Sequence, residues 1–264
     1  MKVCFSLDPI DSIQPWGKPP NLSLSWFALS LGKYSITLGD FELLHYSADV
    51  VAAIQAAYPS AYPGPQIGYQ VVRLHEDLLD IAADVVEPVT EDVAAVLERH
   101  TAVETMRRGR SLAQDLGADD PAIFGIDALV DCLRARQLDT GYLAPAPLIL
   151  LWRHANEIHV EWDGRGQMLE GLPAWMCPAG HACASLDQFR EALKMFHDDF
   201  TGQMSDRVAS IGAGWKRPEV RIDIEELHRS QNYREKQLGI ALSREPATTD
   251  WDAVREGARR CWCG

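Results

Sequence analysis

The chain has 264 residues, 47% of them hydrophobic, enough to bury a large core, and its formal net charge of -13 repels nucleic-acid backbones and anionic membrane surfaces. No apolar run is long enough for a transmembrane helix, and the opening MKVCFSL is cut by Asp8 short of a signal peptide, so a cytoplasmic protein with no nucleic-acid or membrane partner is expected. The cysteines, Cys4, Cys132, Cys177, Cys183, Cys261 and Cys263, are too sparse for a disulfide scaffold and fit a reducing compartment.

Residues 1–22, with Pro9, Pro15, Pro19 and Pro20, read as an extended leading segment pinned by Trp16. Residues 22–46 have the pattern of a β-meander. Leu24, Trp26 and Ala28 alternate with serines and Phe27, residues 30–33 read as a turn, Tyr34, Ile36 and Leu38 alternate again, and residues 41–46 follow the Gly39-Asp40 turn as a third strand. Ser47 suits the cap of a short helix over 48–57, and the prolines and glycines of 58–68 make a loop.

Residues 69–87 carry Val71, Leu74, Leu78, Ile81, Ala82 and Val85 at helical spacing, with Glu76, Asp77, Asp80 and Asp84 on the other side. Pro88 stops that helix, and Thr90 opens the next, predicted from Glu91 to about Arg108. Asp120 and Pro121 open a third helix to about Gln137.

The strongest hairpin signal is residues 148–163, LILLWRHANEIHVEWD. Residues 148–152 are continuously apolar, as in a strand buried on both faces, and Arg153 to Asn156 supply a turn. Beyond it Ile158, Val160 and Trp162 alternate with Glu157, His159 and Glu161, which predicts one buried and one wet face. A hairpin is marginal alone, so this one is expected to share a core with the 22–46 meander. After an irregular stretch, Ser185 and Gln188 form a capping box that opens the longest helix, from Leu186 to about Ile211, with the apolar stripe Phe189, Leu193, Phe196, Phe200 and Met204. Residues 220–222 suggest a short strand, Asp223 and Glu226 a second capping box for a helix to about Leu242, and Asp250 the cap of a final helix running into Cys261-Trp262-Cys263.

These elements predict an α+β fold: antiparallel hairpin units in a sheet covered on one side by helices, with a helical insert between them. One domain is expected, made of the meander (22–46), the insert (69–137), the central hairpin with the long helix (144–211) and the C-terminal helices (220–264).

With those elements in place, several stretches resemble an uncharacterised bacterial family, DUF5984. They are Gln14-Pro15-Trp16-Gly17, residues 24–29 (LSWFAL) followed by Gly32-x-Tyr34 and Glu42-Leu43, residues 73–79 (RLHEDLL), residues 138–143 (LDTGYL) and residues 249–252 (TDWD). They span nearly the whole chain. The chain departs from the pattern at Ser35, where the family has an aromatic, and in its cysteines Cys177, Cys183, Cys261 and Cys263. The resemblance implies a bacterial cytosolic protein and assigns no mechanism.

Three sets of residues could carry chemistry. Cys177, His181 and Cys183 (C-x3-H-x-C), joined by Cys261 and Cys263, offer soft ligands suited to zinc, although unpaired loop thiols are the ordinary meaning of such a pattern. His159 and Glu161 on one strand face could do acid–base work. Trp26, Trp152, Trp162 and Trp175 could line a stacked binding groove, or simply fill a core. His197-Asp198-Asp199 lacks the companion motifs of a metal phosphohydrolase, and no P-loop, Rossmann fingerprint, G-x-S-x-G or H-E-x-x-H occurs.

Nine acids against two arginines between Arg73 and Glu104 predict an acidic face, with Asp77, Asp80 and Asp84 as binding residues for a basic protein partner. The leading expectation is therefore a non-enzymatic interaction protein of immunity or accessory type, without cofactor or metal. The alternative is an enzyme, such as a metal-dependent hydrolase, working near His159, Glu161 and the Cys177 loop.

Overall fold

The structure, a computed structural model, describes residues 1–59, 64–116, 120–246 and 248–263, the Cys263 side chain excepted. The middle of the 58–68 loop and most of the 117–120 loop lie outside the described residues. The fold is α+β, with antiparallel sheets and helices packed against them.

The chain begins with strand β1 (Lys2–Leu7), not with an extended arm, and β2 (Leu22–Ser23) follows. The alternation around Trp26 does not make a strand. Ser25 caps a single helical turn, α1 (Trp26–Leu29), its hydroxyl accepting from Ala28 N. A three-residue alternation is too short to outweigh a serine that satisfies a free helical N–H. The predicted turn at 30–33 lies within β3 (Leu31–Leu38), which pairs with β1 along its length, Leu7 opposite Gly32 and Lys2 opposite Thr37. Gly32 serves close approach here, because a Cβ would run into the Ser6 carbonyl of β1. The other edge of β3 takes β4 (Phe41–Leu43) and, after helix α2 (Ala48–Ala57), β5 (Ile67–Gln70).

Helix α3 (Val71–Val86) follows directly from β5. The single helix predicted to Arg108 is two, α4 (Glu91–His100) and α5 (Ala102–Asp115). Thr101 breaks them at φ 61°, and its side chain caps α5 by accepting from Glu104 N. The sequence Thr-x-x-Glu carried that signal inside an otherwise continuous helical pattern.

Helix α6 (Ala122–Arg134) leads through β6 (Gln137–Leu138) to the central hairpin, β7 (Leu148–His154) and β8 (Glu157–Asp163). A small hairpin, β9 (Met168–Leu169) and β10 (Leu172–Pro173), precedes β11 (Ala179–Ser185). The second sheet runs β11-β8-β7-β6, antiparallel throughout. The Ser185–Gln188 capping box starts α7 (Leu186–Ala213), as predicted. The chain ends with β12 (Val220–Arg221), parallel to β2, then α8 (Ile224–Arg234), capped by Asp223, α9 (Gln237–Ser243) and α10 (Trp251–Cys263).

Helices cover both faces of the second sheet, not one. On the first face, Ile149, Leu151, Ile158, Val160 and Trp162 join residues of β3, α3 and α7 in one apolar cluster, so the first sheet and the central hairpin do share a core. On the second face, Leu150 and Trp152 pack with α4, α5, α6 and α10 in another cluster. There α6 and α10 cross at Gly125 and Gly257, where a Cβ on Gly257 would run into the Gly125 carbonyl. The predicted wet face of β8 is therefore covered: His159 and Glu161 are 7% and 4% exposed.

The acidic side of α3 is not the open face the sequence predicts. Arginines from α8, from the end of α9 and from the link between α6 and β6 reach it. Arg234 pairs with Glu76 at 2.8 Å, Arg244 with Asp84 at 3.2 Å, and Arg136 with Glu87 at 2.7 Å. Asp77 is half-buried, its carboxyl engaged by the Tyr142 hydroxyl, and Asp80 is exposed.

Candidate metal centre

His159 sits in the middle of β8, opposite Trp152 of β7 and Cys183 of β11. Directly opposed residues of antiparallel strands point to the same face, so the three side chains form one row across the sheet. His181, two residues before Cys183, shares that face and leans onto the same row.

Three donor atoms meet there. His159 Nδ1 and His181 Nε2 are 3.1 Å apart, and Cys183 Sγ stands 3.7 Å from the first and 3.6 Å from the second. A tetrahedral zinc ion with bonds of about 2.0–2.1 Å to nitrogen and about 2.3 Å to sulfur separates its ligands by about 3.3 Å (N to N) and about 3.6 Å (N to S). The donor triangle thus has nearly the dimensions of one face of that tetrahedron. His181 and Cys183 are exposed, so the triangle opens to solvent at the sheet edge.

The support beneath it is stacked and hydrogen-bonded. Trp152 stacks on the His159 ring at 3.9 Å between centroids. Its indole N–H donates to Glu161 Oε1 at 2.9 Å, while Glu161 Oε2 accepts from Val103 N, in the first turn of α5, at 3.2 Å. Glu161 is thereby a pin between strand and helix rather than a free base. Beside it, buried Asp163 is held by Arg107 and by Arg165, the latter at 2.8 Å, which keep its carboxyl down at about 2 against the opposing effect of burial.

Burial first, and then the neighbouring His181, push the His159 imidazole below its usual range, favouring the neutral form that coordinates metals. Burial and the carboxylates of Glu157, Glu98 and Glu161 push the Cys183 thiol up. A bound cation would reverse that field, and coordination would release the thiol proton.

A second constellation touches the first. His154 is held between Glu91, 2.8 Å from Nε2, and Glu98, 3.2 Å from Nδ1, and these carboxylates raise its pKa. Glu98, His154 and His159 offer donor atoms within 4.8 Å of one another. The pair of glutamates fixes α4 over the β7–β8 turn.

The structure thus merges two candidate sets and trims both. His159 joins His181 and Cys183, while Cys177 is half-buried outside the triangle, its carbonyl accepting from Trp162 Nε1. Cys261 is buried on α10 among the apolar residues of the second face and cannot share the site; the Cys263 side chain lies outside the described residues.

The four tryptophans do not line a groove. Trp26, Trp152, Trp162 and Trp175 are all buried, and their indole N–H groups donate to Gln231, Glu161, the Cys177 carbonyl and Gln167 respectively. His197 turns inward to His75, 3.0 Å away, and Lys194 pairs with Asp198, so His197-Asp198-Asp199 is no metal motif here. The union of His159 with Cys183 was hidden in the sequence because it depends on the β8–β11 register across the irregular residues 164–178.

The observations define an α+β chain with three potential donor atoms gathered at a sheet edge. The chain belongs to DUF5984, a family of unknown function whose family model matches residues 2–257. Neither curated proteins nor solved structures give a match. No helix among the described residues is long and apolar enough to cross a membrane.

Proposed function

We propose that this protein is a zinc-type metal protein whose functional centre is His159, His181 and Cys183. The observation that carries this reading is the donor triangle of 3.1, 3.6 and 3.7 Å, held by a stacked tryptophan and opening to solvent. Two imidazoles and one thiolate are a borderline-soft set suited to zinc, and three protein ligands leave a fourth position for water, an anion or a further donor. With that position open, such an ion would acidify a bound water; with a further protein donor in it, the ion would serve structure.

The competing view, a binder of basic proteins acting through α3, draws less support. Arg234, Arg244 and Arg136 already answer Glu76, Asp84 and Glu87.

Cobalt titration of chelator-treated protein tests the proposal. One cobalt per chain with a thiolate-to-metal charge-transfer band is expected, and Cys183→Ser should abolish the band while His181→Ala weakens binding at least about tenfold. Absence of the band in the wild type, or its persistence in Cys183→Ser, would overturn it.

A further inference from the structure

The strand that carries two of the three ligands is also an open edge. β11 ends the sheet order, pairing with β8 on one side only, and among the described residues its backbone bonds to no strand on the other. Proteins usually blunt such edges with lysine, proline, bulges or covering segments, because a free row of N–H and C=O groups invites another strand. β11 uses none of these residue types. Its sequence is AGHACAS, without charge or proline, and it pairs with β8 in unbroken register from Ala179 opposite Asp163 to Ser185 opposite Glu157. Backbone bonds from Gly164 N to the Pro178 carbonyl and from Leu186 N to the Asn156 carbonyl tie down the chain on either side of it. His181 and Cys183 are exposed on this edge.

Resting on the zinc reading above, we infer that a second copy of this chain completes the centre, its β11 pairing antiparallel with this one so that Cys183 stands opposite Cys183 of the second copy. Opposed residues in an antiparallel pair share a face, with Cβ atoms about 4.5–5.5 Å apart. Both donor triangles therefore meet on one side of a continuous sheet. Each metal keeps His159, His181 and Cys183 of its own chain and takes Cys183 of the second copy as its fourth ligand. Two thiolates bridge two ions, and each ion gains the closed two-nitrogen, two-sulfur tetrahedral set of a structural zinc site. On one chain, among the described residues, Glu98 and His154 group with His159 alone and not with His181 or Cys183, so without the second copy each triangle lacks a fourth protein donor common to all three.

Sedimentation velocity on the full chain, in chelator and then with one equivalent of zinc, tests the inference together with hydrogen exchange. Expected are a monomer in chelator, a dimer with two zinc ions, and about tenfold or greater slowing of exchange in β11 amides on zinc addition. Cys183→Ser should stay monomeric on zinc addition. A monomer that binds one zinc with a thiolate band in its cobalt form would overturn the pairing and leave the metal centre standing. Failure to bind metal at all would overturn both. A dimer that persists in chelator and in Cys183→Ser would show that copies associate elsewhere, and would also overturn the inference.

Discussion

Trp152 lies flat on His159, ring planes 13° apart, and its indole N–H reaches past the ring to Glu161 Oε1. One side chain therefore sets the plane of the His159 imidazole and holds the carboxylate beside it. Trp152→Phe keeps a stacking ring and removes the donor, so it should cost about 1–3 kcal/mol in urea denaturation. Cobalt affinity should fall little. Trp152→Ala frees the imidazole and should weaken cobalt binding about 10- to 100-fold. Equal affinity in Trp152→Ala and the wild type would show that the stack does not organise the site.

Glu161 joins β8 to the first turn of α5 through Val103 N. Glu161→Ala leaves two buried donors, the Trp152 indole and the Val103 amide, without an acceptor. A loss of about 2–5 kcal/mol is expected, with faster hydrogen exchange confined first to the start of α5. Unchanged exchange there would contradict the pinning role.

His75 is buried against Phe196, Phe200 and His197, and Arg234 lies nearby. Burial, with His197 and Arg234 adding, holds its pKa down at about 3, against an ordinary 6.5. Below pH about 6.5 the unfolded chain takes up this proton first, so stability should fall by up to about 1.4 kcal/mol per pH unit until the folded group also titrates. His75→Leu should flatten the urea midpoint between about pH 6.5 and 4, where the wild type declines. A wild-type profile that is flat over this window would refute the assignment.

Asp77 works in the opposite direction. Burial raises its carboxyl to about 7 from 3.8, with Asp139 and Asp80 adding to the rise and Tyr142 and Arg73 opposing it. The folded chain therefore holds this proton more tightly, and the resulting stability, full below 3.8, is lost as pH rises through about 7. Asp77→Asn should raise the urea midpoint at pH 8 relative to the wild type and leave it nearly unchanged at pH 4. A lower midpoint at pH 8 would mean that the charged form is the stabilised one.

Local chemistry was legible in the sequence where it was self-contained. The Ser185–Gln188 box needs only four consecutive residues, and the hairpin of β7 and β8 only its own alternation and turn. What failed depended on neighbours distant in the chain. Gly32 looks like a turn residue until β1 is laid beside it, and His159 and Glu161 look wet until α4 and α5 fold over them. The acids of α3 look like a binding face because the arginines that answer them stand at 136, 234 and 244. Two of the three donors, His181 and Cys183, were readable in C-x3-H-x-C; the third, His159, came from the other set, placed by strand register alone.

The crossing of Gly125 and Gly257 has a consequence for biosynthesis. Helix α10 supplies Val254, Ala258 and Cys261 to the apolar cluster under Trp152, yet it is made after every other element described. While the ribosome still holds residues 251–263, the first core has all its strands, but the second cluster still lacks Val254, Ala258 and Cys261. The nascent chain should thus emerge with one half settled and the other waiting, and a chaperone or a protease would meet the α4–α6 helices in that interval.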